Sequence, residues 1–365
     1  MRWVTDDLEF RDPERADELT DRLATLVDDV GDVRVMHVCG SHEEAIAEFG
    51  LRSVLPAGLT VAMGPGCPVC VTDLPEVDEA VALAEAGHTV ATYGDMVRVP
   101  GSDGSLADAR AAGADVRTVY SAAEAADLAR ATDDEVVFFA TGFETTAAPT
   151  ATVLQDDPPE NFSVLSAHKY VPPAMDVVAA HPDTRVDGFL AAGHAATITG
   201  IDVFESVVEE HDLPVVVGGF EPLDVLAGLV LLLEDVRDGD ASVTNAYPRC
   251  VADEGNPAAR EALWDVFERV PGEWRGVAEV PDATLRLREE YAAYDARRQF
   301  DIDRPASDAR TTECICGEIM GGRARPADCP LFGEECTPTD PVGACMVSDE
   351  GPCHIQHAYG GRRGP

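Results

Sequence analysis

The chain has 365 residues, of which 45% are hydrophobic and 26% are charged. It is therefore long enough for two or three domains, and its composition excludes a wholly disordered protein. Acidic residues outnumber basic ones by 68 to 27, which argues against binding to nucleic acid or anionic membranes, because both need basic patches. The acidic excess is evenly spread and Lys169 is the only lysine, which favours adaptation to high salt over a local acidic docking face.

The N-terminal segment and the apolar stretches indicate a cytoplasmic protein. The first ten residues, MRWVTDDLEF, lack the apolar run of a signal peptide. The longest apolar stretch, at 225–236, is too short to span a bilayer, so we expect a core helix there. Because the cytosol keeps thiols reduced, metal binding or redox chemistry explains the ten cysteines better than structural disulfides do.

Short apolar segments rich in valine and phenylalanine alternate along the chain with helical segments such as 74–86 and 120–132. This alternation predicts α/β units with parallel sheets. The strands are almost continuously apolar, which indicates that both faces of each sheet are covered. The predicted strands are 33–38, 59–63, 88–93, 135–140, 162–167, 186–192 and 213–219.

Polar or glycine-rich sequences follow most of these strands. In open α/β folds, ligands bind at the carboxyl ends of the strands, so a site is predicted where these sequences meet. The tripeptide GFE occurs at 142–144 and again at 219–221, which fits either a duplication of two α/β halves or a chance repeat. The sequences are VCGSH at 38–42, MGPGCPVC at 63–70, YGD at 93–95, TGFETT at 141–146, SAHKY at 166–170, AGH at 192–194 and GGFEP at 218–222.

The last part of the chain is rich in cysteine, glycine and proline. It follows a polar linker, DIDRPASDARTTE at 301–313, and has too few apolar residues for a core of its own. The spacing C-x-C-x12-C-x6-C-x8-C-x7-C lacks the two C-x2-C pairs of a zinc ribbon and favours a [4Fe–4S] cluster over zinc or disulfides. Two of the six cysteines are left over, and we expect them to form a thiol pair beside the cluster. The six are Cys314, Cys316, Cys329, Cys336, Cys345 and Cys353.

These motifs together resemble the HypD family of hydrogenase maturation proteins. The resemblance covers nearly the whole chain and implies two Rossmann-like α/β domains with parallel sheets plus a small C-terminal iron–sulfur domain. We place these domains at 1–130, 131–300 and 301–365. The segments that carry the resemblance are HVCGSHEEAI at 37–46, GPGCPVCV at 64–71, FATGFETTAAPTA at 139–151, AGHAATITG at 192–200, GGFEPLD at 218–224 and the cysteine-rich segment 314–353.

The resemblance also implies a function. Members of this family are scaffolds on which the iron of [NiFe] hydrogenases receives its cyanide and carbonyl ligands. Their partners are the small chaperone HypC and HypE, which supplies cyanide as a thiocyanate. The implied cofactor is a [4Fe–4S] cluster, and the cargo is a transient Fe(II) that carries cyanide and CO.

The resemblance assigns roles to individual residues. Cys39 matches the cysteine that holds the iron together with a cysteine of HypC, and His42 is the nearby imidazole. Cys67 and Cys70 match a redox-active C-x-x-C. In some relatives a second histidine follows His42 by two residues, but Glu44 stands there. The tail cysteines that match the cluster ligands are Cys314, Cys329, Cys336 and Cys353, and those that match the remaining thiol pair are Cys316 and Cys345.

The residues by themselves leave two interpretations of the C-x-x-C pair. Its spacing suits reversible disulfide exchange, and Gly64 and Gly66 are expected to leave the sulfurs accessible. A metal clamp would need two more ligands, which Cys39 and His42 could supply. We favour a redox dithiol close to the iron, which passes electrons from the cluster to ligand processing.

Further candidates follow from position along the chain. Cys39 comes directly after a strand, and if it opens a helix its thiol pKa should fall. Lys169 in SAHKY is a cation that could face the cleft. His194 and Glu144 are candidates for the cleft rim, with a supporting or turn role as the alternative. Cys250 belongs to no motif and is expected to be a buried inert thiol.

The sequence is also compatible with two other functions. The first is a stand-alone thiol–disulfide oxidoreductase that acts through its iron–sulfur cluster and does not need Cys39. The second is a structural cluster protein that docks partners, for which Cys67 and Cys70 would be dispensable.

Overall fold

A computed structural model of the protein describes residues 10–302 and 313–360. It contains all seven strands predicted from the sequence. Most of the predicted linker, at 303–312, lies outside the described residues, as do residues 1–9. The strands are β1 Val33–His37, β2 Leu59–Met63, β3 Thr89–Thr92, β4 Val116–Thr118, β5 Val136–Gly142, β6 Phe162–His168, β7 Gly188–Ala192, β8 Val215–Gly218, β9 Val243–Asn245, β10 Phe267–Trp274 and β11 Ala278–Leu287.

The helices mostly begin where the sequence supplies a cap or a proline. Asp73, for example, caps the helix that follows it, and Glu76 completes the capping box. The helices are α1 Pro13–Val30, α2 Gly40–Glu48, α3 Pro68–Val71, α4 Leu74–Glu85, α5 Leu106–Ala111, α6 Ala122–Arg130, α7 Glu144–Gln155, α8 Val171–Ala180, α9 Gly193–Thr199, α10 Glu205–His211, α11 Pro222–Asp238, α12 Pro257–Val266, α13 Ala296–Gln299, α14 Cys316–Met320 and α15 Pro352–Tyr359.

Two parallel sheets form the framework. The first has the strand order β2-β1-β7-β8-β9, and the second has the order β4-β3-β5-β6. Every residue of β5, β6 and β7 is buried, as expected for valine- and phenylalanine-rich strands covered on both faces. The prediction of an α/β fold with parallel sheets is confirmed.

The predicted domain boundary at residue 130 does not coincide with a division between the sheets. It falls between β4 and β5, which belong to the same sheet. Strand β1 pairs with β7, with Val35 opposite Gly188, so the first sheet combines strands from both sides of that boundary. The chain leaves the first sheet after β2, forms the whole second sheet, and returns at β7.

The sequence did not predict the long antiparallel hairpin formed by β10 and β11. The hairpin joins the end of β6 through a bridge between Lys169 and Thr284. The cysteine-rich tail packs its helix α15 against α2, which follows β1. The hairpin and the cysteine-rich tail therefore both lie close to the carboxyl ends of strands in the sheets.

One buried apolar cluster joins both sheets and the tail. It includes Phe189 of the first sheet, Phe139 and Leu165 of the second, and Met320 and Met346 of the tail. The tail thus shares the main core instead of building its own, in agreement with its low apolar content. Within the part of the chain that the structure describes, every helix is too short or too polar to cross a membrane.

Candidate functional site

Cys39 lies at the carboxyl edge of the first sheet. It follows β1 and is the N-cap residue of α2, and only 2% of it is exposed. Its sulfur lies 3.9 Å from both ring nitrogens of His194, in the first turn of α9 after β7. Because β1 and β7 are neighbouring parallel strands, their ends bring these two side chains together.

Two imidazoles flank the ring of Phe220, which follows β8. The centroid of the His42 ring lies 4.8 Å from that of the Phe220 ring, and the centroid of the His194 ring lies 4.9 Å from it. The Nε2–H of His42 donates to the carbonyl of Gly219 at 2.9 Å, so its Nδ1 carries the lone pair. That Nδ1 is buried and has no hydrogen-bond partner. It is therefore free to accept a proton or a metal.

Burial keeps both imidazoles neutral. It lowers the pKa of His42 to about 3, with added repulsion from His37 and His194, and it lowers the pKa of His194 to about 4. Neutral imidazole is the form that binds metals. The neighbourhood of Cys39 therefore offers one thiol and two imidazole rings in a largely buried space.

The expectation of a lowered thiol pKa at Cys39 is wrong. Cys39 does begin a helix, and the backbone N–H groups of His42 and Ser41 favour its thiolate. Burial outweighs them and raises the pKa of Cys39 to about 12, and the nearby carboxylate of Glu350 adds to this. At neutral pH the residue therefore holds its proton.

A chain of three side chains holds the Cys39 loop, and sequence reasoning missed it. His37 donates from Nδ1 to the carbonyl of Cys39 at 3.0 Å, and its Nε2 lies 2.9 Å from a Glu43 carboxylate oxygen. The exposed Arg52 donates to the same oxygen at 2.7 Å. Burial by itself would raise the pKa of Glu43, but His37 and Arg52 outweigh it and lower that pKa to about 2.

Cys67 and Cys70 form a disulfide in the loop after β2. Both residues are completely buried, so the expectation of accessible sulfurs is wrong. The physical reason lies in the glycine that precedes them. A Cβ on Gly66 would overlap the backbone of Val38 and Cys39, and the N–H of Gly40 donates to the carbonyl of Gly66. The glycine therefore packs the disulfide loop directly against the Cys39 loop.

The tail divides its cysteines into two sets. Cys316 and Cys345 hydrogen-bond to each other through their sulfurs, which lowers the pKa of Cys316 and raises that of Cys345. The positive charge of Arg275 also lowers the pKa of Cys316. The turn that carries Cys345, at 344–346, packs against α3, which carries Cys70. The disulfide loop therefore packs against both the Cys39 loop and the turn that carries Cys345.

The other four tail cysteines lie near one another. Burial raises the pKa of both Cys314 and Cys353, and the charges of Cys316, Cys329 and Cys336 add to this rise. The N–H of Val342 donates to the Cys336 sulfur at 3.3 Å. In the described chain, no three of the tail sulfurs lie within 4.8 Å of one another. A tetrahedral zinc site, with Zn–S bonds near 2.3 Å, would need sulfurs about 3.8 Å apart.

Comparison with known proteins identifies the family. Residues 14–360 match the family model HypD, described as "Hydrogenase formation hypA family". The chain belongs to the HypD family of hydrogenase maturation factors. Three relatives are each named "Hydrogenase maturation factor HypD". The one from Rhizobium leguminosarum bv. viciae is 44% identical over 365 residues, covering 96% of this chain and 94% of the relative.

The other two relatives are similar to this chain over almost their whole length. The protein from Rhodobacter capsulatus is 41% identical over 369 residues, covering 97% of this chain and 98% of the relative. The protein from Azotobacter vinelandii is 42% identical over 375 residues, covering all of this chain and 98% of the relative. The family resemblance inferred from the motifs is confirmed.

In this HypD-family chain, Lys169 does not face a cleft. It is 1% exposed, and its Nζ lies 3.0 Å from a Glu76 carboxylate oxygen and 3.1 Å from the carbonyl of Glu273. The lysine therefore ties the end of β6 to α4 and to the hairpin. Its side chain is committed to this buried ion pair, so the prediction of a free cation at the site is wrong.

The structure also places two other candidates. Glu144 is buried and fits the supporting role, not the cleft rim: its Oε1 accepts from the N–H of Val171 at 2.9 Å, and its Oε2 has no partner. Burial raises the pKa of Glu144 to about 7. Cys250, expected to be buried, is exposed. His194 is the candidate that the structure brings directly to Cys39.

Proposed function

We propose that this HypD-family protein is a scaffold that assembles the Fe(CN)2CO group of [NiFe] hydrogenases with HypC and HypE. The observation that supports it is the contact of two sulfur sites with a third. The loop that carries the Cys67–Cys70 disulfide packs against the Cys39 loop and also against the turn that carries Cys345. This arrangement suits an iron site that receives electrons from the tail through a disulfide.

The iron cargo is held at Cys39. Fe(II) with cyanide and CO favours soft ligands, so a thiolate suits it. The unpartnered Nδ1 of His42 and the ring of His194 are neutral nitrogen donors in the same space. Binding the iron releases the Cys39 proton, which burial otherwise retains. A cysteine of HypC supplies the second thiolate.

The resident cofactor is a [4Fe–4S] cluster held by the four tail cysteines outside the thiol pair. Their donor set fits: the sulfurs are near one another, wider apart than zinc needs, and Cys336 accepts an N–H···S hydrogen bond. Such a cluster supplies single electrons that keep the tail thiols reduced. The ligands are Cys314, Cys329, Cys336 and Cys353.

The tail thiols reduce the disulfide by exchange. The sulfur of Cys316 attacks one sulfur of the Cys67–Cys70 bond, which breaks as a mixed disulfide forms and the other sulfur leaves as a thiolate. Cys345 then attacks Cys316, forms the Cys316–Cys345 disulfide and releases the second sulfur. Two electrons thus pass from the tail thiols to Cys67 and Cys70. One of the two tail protons follows them and the other is released to solvent, which leaves the reduced pair as one thiol and one thiolate.

The reduced pair releases cyanide from the thiocyanate of HypE. One thiolate attacks the sulfur of the thiocyanate, the S–C bond breaks, and cyanide leaves. The second thiol then attacks the mixed disulfide and gives its proton to the HypE sulfur, which restores the HypE thiol and re-forms the Cys67–Cys70 disulfide. Because both sulfurs are buried, the loop at 63–71 has to move when HypE docks.

A stand-alone thiol–disulfide oxidoreductase explains less. The Cys39 site, where a thiol lies beside two buried imidazoles, would have no task in such an enzyme. The scaffold uses this site to hold its iron cargo.

Infrared spectroscopy of the anaerobic complex with HypC tests the proposal, because cyanide and CO stretches fall in a window that is otherwise empty. Wild type should show these bands, and Cys39→Ala should lose them while keeping the fold. Cys250→Ala, which removes an exposed cysteine outside the site, is the matched control and should keep them. Bands that persist in Cys39→Ala would refute the iron site.

A double variant, Cys67→Ser with Cys70→Ser, tests the redox step in the same complex. It should still bind HypC but should not mature hydrogenase. Normal maturation with this variant would show that electrons take another route.

A further inference from the structure

The turn of the β10–β11 hairpin, residues 274–277, lies between the two thiol pairs. On one side, the N–H of Arg275 donates to the carbonyl of Val71, the last residue of α3, at 3.0 Å. On the other side, Gly276 touches Gly317, where a Cβ on either residue would overlap the backbone of the other. Gly317 directly follows Cys316. The turn therefore joins the disulfide loop to the tail thiol pair.

The guanidinium of Arg275 is only partly satisfied. Its Nη2 donates to the carbonyl of Pro100 at 2.7 Å, but its Nη1 is buried and has no hydrogen-bond partner. Arginine keeps its charge in proteins, and burying a donor without an acceptor is unfavourable. The closed disulfide state thus leaves an N–H of a buried cation without an acceptor.

The guanidinium of Arg275 has both sulfur and carboxyl groups in its surroundings. The groups whose charge, when they are ionised, acts on it are Cys316 and Cys345 of the tail and the carboxyl groups of Asp73 and Asp78. The other buried cations nearby are committed to carboxylates: Lys169 pairs with Glu76, and Arg297 pairs with Glu79. Arg275 is therefore the cation that is placed to respond to a new negative charge on sulfur.

We propose that Arg275 is a positioning residue for exchange between the tail thiols and the Cys67–Cys70 disulfide. It holds the two pairs together through the turn, and its guanidinium provides the counter-charge for the sulfur anion that leaves when the disulfide opens. Arg275 gains and loses no proton or electron in the process. This inference rests on the proposed exchange between Cys316, Cys345 and the disulfide.

The charge should make the disulfide easier to reduce, because it stabilises the reduced form in which an anionic sulfur is present. R275Q removes the charge and should shift the equilibrium with a dithiol buffer about tenfold toward the disulfide. For a two-electron couple this is about 30 mV more negative. R275K keeps the charge and should stay close to wild type.

The experiment equilibrates the full-length, cluster-containing protein anaerobically in dithiothreitol buffers of graded redox ratio. Acid quenching, alkylation and mass spectrometry then give the reduced fraction of the peptide that contains Cys67 and Cys70. Arg130→Gln is the matched control, since Arg130 lies exposed on α6 and the charge change is the same. It should titrate like wild type.

The outcomes separate the two proposals. If the wild-type disulfide stays closed in every buffer, the exchange itself fails. If it opens normally but R275Q has the wild-type midpoint, or R275K shifts as far as R275Q, only the role of Arg275 is refuted. Should R275Q not fold, R275M, which removes the charge but keeps an apolar stem, is titrated in its place against the same criteria.

Discussion

Replacing Glu144 by glutamine should change how the stability of the protein depends on pH. The carboxyl group is 1% exposed, and burial raises its pKa from an ordinary 4.5 to about 7. The folded state therefore holds a proton that the unfolded chain releases above pH 4.5. Because the folded state binds more protons, this group lowers the free energy of unfolding as the pH rises from about 4.5 to 7.

The magnitude follows from the two pKa values. Each pKa unit of difference is worth about 1.4 kcal/mol, so the loss is on the order of 3 kcal/mol once the pH exceeds 7. Glu144→Gln removes the titration but keeps an oxygen that can accept from the N–H of Val171, and its NH2 group occupies the position of the unpartnered Oε2. The variant should therefore gain stability relative to wild type as the pH rises.

Denaturant unfolding at pH 5, 6, 7 and 8 and constant salt measures this difference. The free energy of unfolding of Glu144→Gln minus that of wild type should increase by about 2–3 kcal/mol between pH 5 and pH 8. Glu85→Gln, an exposed substitution in α4, is the control and should show a difference that does not change with pH. A constant difference for Glu144→Gln would show that the carboxyl group is already ionised in the folded protein.

Two further predictions concern the loops that build the site. Gly66→Ala should lower the free energy of unfolding by about 1–3 kcal/mol or more, because the added methyl group would overlap the backbone of the Cys39 loop. The control is Gly94→Ala, whose methyl group would make only an ordinary van der Waals contact, and it should unfold like wild type. Equal stability of the two variants would contradict the close packing. Cys329→Ala should lose the roughly four irons and four sulfides expected per chain in anaerobic preparations, and full occupancy would refute its role as a ligand.

The amino-acid sequence determined seven of the strands in the two parallel sheets, but not the β10–β11 hairpin. Valine- and phenylalanine-rich runs such as 135–140 indicated buried strands, and the alternation with helices led correctly to parallel sheets. The motifs after the strands also indicated where residues would meet, because parallel strands end at a common edge. Cys39 and His194 come together for that reason, although 154 residues separate them in the chain. Adaptation to high salt stays a prediction.

The tertiary structure decided which strands are neighbours and how deeply each residue is buried. The pairing of β1 with β7 and the docking of the hairpin are contacts between distant segments, so local patterns do not encode them. Burial in turn set the pKa values of the side chains in the site. A helix N-terminus by itself would lower the pKa of Cys39, but the packed sheets and tail exclude water and raise it to about 12. The cost of desolvation depends on every neighbour that covers a group, and only the assembled fold supplies those neighbours.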